Sequence, residues 1–227
     1  MHEEFRRLTG MEPSLSVCAP FTLATGLRGI EQFLLDIYTE PAFAREILDR
    51  IADEVLVPWT RYQQRAFPGA TGVSAVDATA SPPVVNLEIL REWVTPPILR
   101  LRKACGPGVA TANWAGERFL ADPAAMLALK LLVGPGALWG QDPDVEALGP
   151  AYYRQYADRH DVPLILGVGA AFLATADPAA VADRVRRYVE TGGRGGRFAL
   201  YLCNLGATTP PENLAAAVEA AHASLVN

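Results

Sequence analysis

The chain has 227 residues, half of them hydrophobic, and a formal net charge of −5. That is enough to bury one sizeable core, and a single domain over residues 1–227 is predicted. The acidic balance and the scatter of the arginines exclude a nucleic-acid partner. The first residues, Met1-His2-Glu3-Glu4-Phe5-Arg6-Arg7, are charged and lack the apolar core of a secretory signal. Short apolar runs then alternate with longer helical patterns. Strands are predicted over Leu15–Ala19, Gly72–Val76, Val109–Ala112, Ala137–Trp139, Pro163–Gly167 and Phe198–Cys203. Several are continuously apolar, the pattern of parallel strands buried on both faces.

The segments between the strands read as helices. Asp122-Pro123 and Asp177-Pro178 each place an N-cap before a proline at the first helical position. After the second of these, Val181, Val185 and Val189 repeat every four residues and define one buried face. Arg184, Arg186, Arg187, Arg194 and Arg197 come nearest to a basic cluster. Helical spacing spreads the first three, so they read as a solvated face. Gly192-Gly193-Arg194-Gly195-Gly196 precedes a strand and reads as a helix C-terminal turn, not a phosphate cradle. Thr209-Pro210-Pro211-Glu212 has the spacing of a capping box and opens the last helix. This alternation predicts a parallel α/β architecture, either a doubly wound sheet or a barrel. No GxGxxG follows the first strand, which argues against a dinucleotide-binding sheet.

No run of about 18 uncharged apolar residues occurs, so no membrane span is expected. The three cysteines, Cys18, Cys105 and Cys203, are far apart and form no disulfide framework, which fits a cytoplasmic protein.

Three ordered segments carry a family resemblance. The first is Ala19-Pro20-Phe21-Thr22-Leu23-Ala24, with Arg28-Gly29 and Phe33-Leu34-Leu35-Asp36-Ile37-Tyr38 after it. The second is Asp77-Ala78-Thr79-Ala80-Ser81-Pro82, followed by Trp93-Val94-Thr95-Pro96. The third runs from Gly192-Gly193 to Phe198, then Cys203 and Thr209-Pro210-Pro211-Glu212-Asn213-Leu214. Together they resemble the uroporphyrinogen decarboxylase superfamily, which includes corrinoid-linked methyltransferases. The resemblance implies a (β/α)8 TIM-barrel-like fold with its chemistry at the C-terminal ends of the strands. It begins inside the family's pattern, with about fourteen residues before the first strand and six strands instead of eight. An incomplete barrel is therefore expected, and a chain that does not work as an isolated monomer.

The same resemblance directs attention to the strand ends. Where the methyltransferase branch carries a zinc-binding His-x-Cys, this chain has Asn113-Trp114-Ala115-Gly116, and only Cys203 stands where a ligand is expected. Zinc is not expected, and no metal ligands are assigned. The three histidines, His2, His160 and His222, do not help: two lie near the termini, and His160 precedes a strand, at the wrong end of a barrel. The candidates for chemistry are Asp77, Asn113 and Cys203. Asp77 ends an apolar strand, where a carboxylate acts as a base, holds a substrate cation, or caps the next turn. Cys203 reads equally as a small buried hydrophobe. The candidates for substrate contact are Phe21, Ser81, Trp114, Gln141, Asp142 and Asn204. An amide beside an indole, as in Asn113-Trp114, suits a polar planar ligand, or packs an interior layer. Ser81 before Pro82 donates to a ligand or serves the turn.

Three functions follow from the resemblance. The first is methyl transfer between a corrinoid-type carrier and a small acceptor, with no resident cofactor and the corrinoid arriving through a partner. The second is a tetrapyrrole carboxy-lyase. The decarboxylase's N-terminal arginine segment has no counterpart here, and Gly26 stands at the place of its "PWTLMTY" tyrosine. The third is a non-catalytic subunit that completes a partner's barrel. The partners implied are a small molecule or tetrapyrrole, and a second copy or companion subunit.

Overall fold

The computed structural model describes residues 2–12, 14–70, 72–111 and 113–225. Ala112, in the third predicted strand, and the side chain of His2 lie outside the described residues. The chain is α/β and divides into two compact units. One comprises Met1–Leu120 with Ala128–Gly134, the other Ala121–Leu127 with Pro135–Asn227.

The first unit is built on a parallel sheet of β1 (Leu15–Cys18), β2 (Val73–Val76) and β3 (Val109–Ala110), in that order. Leu15 pairs with Val73 and Val73 with Val109, so the strands start level. The ladder continues past β1, where the Ala19 N–H reaches the Val76 carbonyl at 2.7 Å. Burial alternates along β1 and β2. Leu15, Val17, Val73 and Ala75 are buried, while Ser16, Cys18, Ser74 and Val76 are exposed. The expectation of strands covered on both faces fails here, because serine and valine or cysteine alternate with the apolar residues and only one row meets the core. Helices Val57–Ala66 and Thr95–Cys105 pack on β1 and β3 respectively and on each other.

Both helices are entered through a wider turn. Val57 N–H bonds the Ala52 carbonyl and Thr95 N–H the Leu90 carbonyl, each five residues back. Pro58, and the pair Pro96-Pro97, follow immediately. A proline lacks the N–H for the regular bond and crowds the carbonyl four residues back, so the helix widens there instead of breaking.

The second unit repeats the plan with β4 (Leu138–Gln141), β5 (Leu164–Val168) and β6 (Phe198–Leu202), again parallel and in sequence order. Gln141, Gly167 and Tyr201 stand level near the strand ends. Helices Pro150–Arg159 and Pro178–Gly192 cover β5, and Pro211–Leu225 packs on the second of them. Val181, Val185 and Val189 form the buried face read from their spacing. Asp177 caps its helix as expected, accepting the Ala180 N–H at 2.8 Å, and Asp122 accepts the Ala125 N–H at 3.3 Å. The Thr209 hydroxyl is turned instead to the loop before it, where it accepts the Gly206 N–H at 3.3 Å. Gly195 and Gly196 both have positive φ, 81° and 78°, which suits the glycine-rich turn after Gly192. No helix among the described residues is long and apolar enough to cross a membrane.

Candidate functional site

In the first unit the strand ends gather around Asp77. Ala19 has no side chain able to cap the helix Pro20–Arg28, so the first-turn N–H groups need an acceptor from elsewhere. Asp77, one residue beyond β2, supplies it. Its Oδ1 accepts the Thr22 N–H at 3.0 Å and the Thr22 hydroxyl at 2.8 Å. Its Oδ2 accepts the Trp114 indole N–H at 3.1 Å. Asn113 fixes the backbone beneath, its Oδ1 accepting the Asp77 N–H at 2.9 Å. The carboxyl is 0 % exposed, and the groups that hold it are neutral. Burial in that setting penalises the charged form, and the pKa is pushed up to about 6. The bonds from Thr22 and Trp114 favour the carboxylate and work against that rise without cancelling it.

Around this carboxyl lies a cluster of hydroxyls. Thr22 Oγ1 stands 2.7 Å from Thr79 Oγ1, which is 3.1 Å from Thr25 Oγ1. The Thr79 N–H reaches Thr22 Oγ1 at 3.2 Å. Ser81 serves the backbone, its Oγ accepting the Ala115 N–H at 3.1 Å. Gly116, at φ 109°, sits where a Cβ would collide with Pro82, so these two turns close on each other. Phe21 is buried against Phe33, with ring centroids 5.5 Å apart. Asp77, Asn113 and Trp114 thus come together, with Ser81 beside them, while Phe21 is packed into the core.

The second unit gathers Asp142, which follows β4 at the cis Asp142-Pro143 bond. Its Oδ2 accepts the Gly169 N–H and an Arg184 N–H, each at 3.1 Å, and its Oδ1 accepts the Tyr188 hydroxyl. Arg184 lies 3.5 Å over the Phe172 ring and also pairs with Glu146. The reading of Arg184 as part of a solvated face is corrected here. Its side chain is 16 % exposed because Asp142 and Phe172 draw it in, while Arg186 and Arg187 remain on the surface. Gln141 accepts the Tyr201 hydroxyl at 2.8 Å. Cys203 is buried, and burial pushes its thiol up, so at neutral pH it is not a thiolate. Gly167 makes room for it: a Cβ there would collide with the Cys203 sulfur and the Tyr201 ring. Asn204 is exposed and left-handed, at φ 45°. His160 ends the helix Pro150–Arg159 and stacks on Tyr156 at 4.4 Å.

These residues do not fit a thiol-activating zinc. Asn113 spends its carbonyl oxygen on a backbone N–H, and Ala115 offers no donor. Among the described residues no three His, Cys, Asp or Glu side chains are placed to share a metal. Sequence reasoning missed Thr22, Thr25 and Thr79, and Arg184 and Tyr188 in the second unit. The available signal for Thr22 was a helix beginning Ala19-Pro20, whose uncapped first turn leaves N–H groups open to an acceptor from elsewhere in the chain.

The family model for uroporphyrinogen decarboxylase matches residues 15–224. Among solved structures, the fold is similar to that of a methyltransferase from Methanosarcina mazei, with a TM-score of 0.73 and 17 % identity. That likeness covers 97 % of this chain and 62 % of the other, so the chain spans less than two thirds of its neighbour's length. No curated protein matches the sequence. With its parallel strand–helix order matched over nearly its whole length, the chain belongs to the uroporphyrinogen decarboxylase family.

Proposed function

We propose that this protein takes part in methyl transfer between a corrinoid-type carrier, brought by a partner, and a small acceptor, with Asp77 taking up the acceptor's proton. Family membership and the fold shared with a methyltransferase support the reading. The observation that carries it is the Asp77 carboxyl, buried at a strand end, held by neutral donors and raised to about 6. TIM-type folds place their chemistry at such strand ends.

Methylating an N–H, O–H or S–H acceptor releases one proton. The acceptor's lone pair forms the new bond to carbon. The bond to the carrier breaks with its electron pair left on the carrier, and the proton ends on Asp77. A carboxylate with a pKa near 6 is largely ionised at neutral pH and more basic than an ordinary one, which suits that task. Activation by proton removal also agrees with residues that do not fit zinc.

A second reading, a non-catalytic companion subunit, draws on the completeness of the same hydrogen bonding. Both Asp77 oxygens are engaged, which also describes a pin between a strand end and a helix start. The two are separated by incubating the protein with methylcobalamin and thiol, amine and phenol acceptors, and following loss of the methyl–cobalt absorbance. Acceptor-dependent demethylation that falls by about 10²- to 10⁴-fold in Asp77→Asn supports transfer. A folded protein inert across the whole panel favours the companion subunit.

A further inference from the structure

Asp77 presents a difficulty for any role in proton traffic, since it has no surface of its own. Its neighbour Trp114 is equally enclosed, at 1 % exposure. Thr22 and Thr79 are half-buried, and they lead away from the carboxyl in a continuous line of oxygens. We propose that the Thr22 and Thr79 hydroxyls form a two-step relay that carries protons between the buried Asp77 carboxyl and the surface at Thr79. The inference rests on the reading of Asp77 as a proton acceptor. Thr22 and Thr79 are positioning residues that act through it.

The direction of each bond follows from counting donors. When Asp77 is ionised, the single Thr22 hydroxyl proton points at Oδ1. The contact between Thr22 and Thr79 must then be donated by Thr79. Thr22 Oγ1 accepts it together with the Thr79 N–H, and its capacity of one donor and two acceptors is filled. A proton arriving at Thr79 oxygen displaces the Thr79 hydroxyl proton to Thr22, and the Thr22 proton passes to Asp77 Oδ1. Each threonine ends with the one proton it began with, and only Asp77 has gained. The bonds are then reversed, with Asp77 donating to Thr22 and Thr22 to Thr79. The relay delivers the acid proton to Oδ1, the oxygen facing the Thr22 hydroxyl, while Oδ2 keeps the Trp114 N–H bond.

Among the described residues, the groups that bond along this path to Asp77 are uncharged. From β1 the titratable neighbour of Asp77 is the Cys18 thiol, whose residue is exposed but whose sulfur is partly desolvated, and which that desolvation and the charge of Asp77 push up. The helix Pro20–Arg28 presents Thr22 and Thr25, and the segment after β3 presents Asn113 and Trp114, all uncharged. Thr25 stands beside the path, because its hydroxyl donates to the Thr22 carbonyl at 2.9 Å.

The test reads the Asp77 proton itself. Infrared difference spectroscopy on the full chain after a rapid pH jump follows the C=O stretch of the protonated carboxyl, assigned by its loss in Asp77→Asn. Thr22→Val and Thr79→Val are expected to slow protonation by about tenfold or more. Thr22→Ser and Thr79→Ser are expected to restore the rate. Wild-type rates in both valine variants would overturn the relay. So would an Asp77 band that does not change between about pH 4 and pH 8. If Thr22→Val does not fold, Thr79→Val decides alone, because Thr79 lies outside the helix and half-exposed. Methyl transfer is not read in this experiment, so an inert protein with a slowed Thr79→Val relay would refute the transfer reading and leave the relay standing.

Discussion

Asp77 in the first unit and Asp142 in the second each follow an apolar strand, and each buries its carboxyl. Around Asp77 the donors are a backbone N–H, a hydroxyl and an indole. Around Asp142 they are a backbone N–H, the Tyr188 phenol and the Arg184 guanidinium. The difference is one formal charge. A neutral cage leaves desolvation to raise the proton affinity of Asp77, whereas the Arg184 guanidinium ties Asp142 into an ion pair. The same position in the sequence pattern thus produces a proton-holding group in one unit and an ion-paired brace in the other.

Substitution to asparagine should separate the two most widely. Asp77→Asn is expected to lower acceptor-dependent methyl transfer by about 10²- to 10⁴-fold. Asp142→Asn should act on stability first, and a rate loss as large as that of Asp77→Asn in a folded Asp142→Asn protein would erase the contrast.

The pH dependence of stability gives the next largest effect. The folded-state pKa of Asp77, about 6, lies above the ordinary value of 3.8. Between those values the folded protein binds more protons than the unfolded chain, so stability falls as pH rises through the window. The contribution is fully present below about pH 4 and lost above about pH 6, a change of about 3 kcal/mol. Urea unfolding of the wild type, read as its difference from Asp77→Asn at each pH, should show that decline. Asp142→Asn leaves Arg184 largely buried with Glu146 as its remaining partner, and should cost about 2–3 kcal/mol by the same measurement.

Much of this contrast could not be read in advance. All six strands were legible, β5 and β6 as apolar runs and β1 and β2 as apolar residues interrupted by serine. Their ends were less so: β4 continues through Gly140 and Gln141, where the ladder runs on after the apolar residues stop. The positions of Asp77 and Asp142 at strand ends were legible for the same reason. Their cages were not, since Thr22 meets Asp77 across 55 residues and Arg184 meets Asp142 across 42. Arg184 lies among other arginines on a helix, and spacing alone cannot tell which one turns inward. Phe21 was grouped with substrate contacts through its motif, and its place against Phe33 belongs to the core.

The smallest effect sharpens the account of the cage. Trp114→Phe removes one donor that favours the carboxylate. The Asp77 midpoint should rise further, by about one pH unit. A fall would mean that the indole bond does not act on the charged form.

The most direct measurement is the titration of Asp77 itself, by carbon NMR of side-chain-labelled aspartate assigned through Asp77→Asn. The account predicts a midpoint near 6 for this one carboxyl. A midpoint at the ordinary aspartate value of about 4 would contradict it, because a carboxyl that ionises like an exposed one is not paying for its burial in a neutral cage.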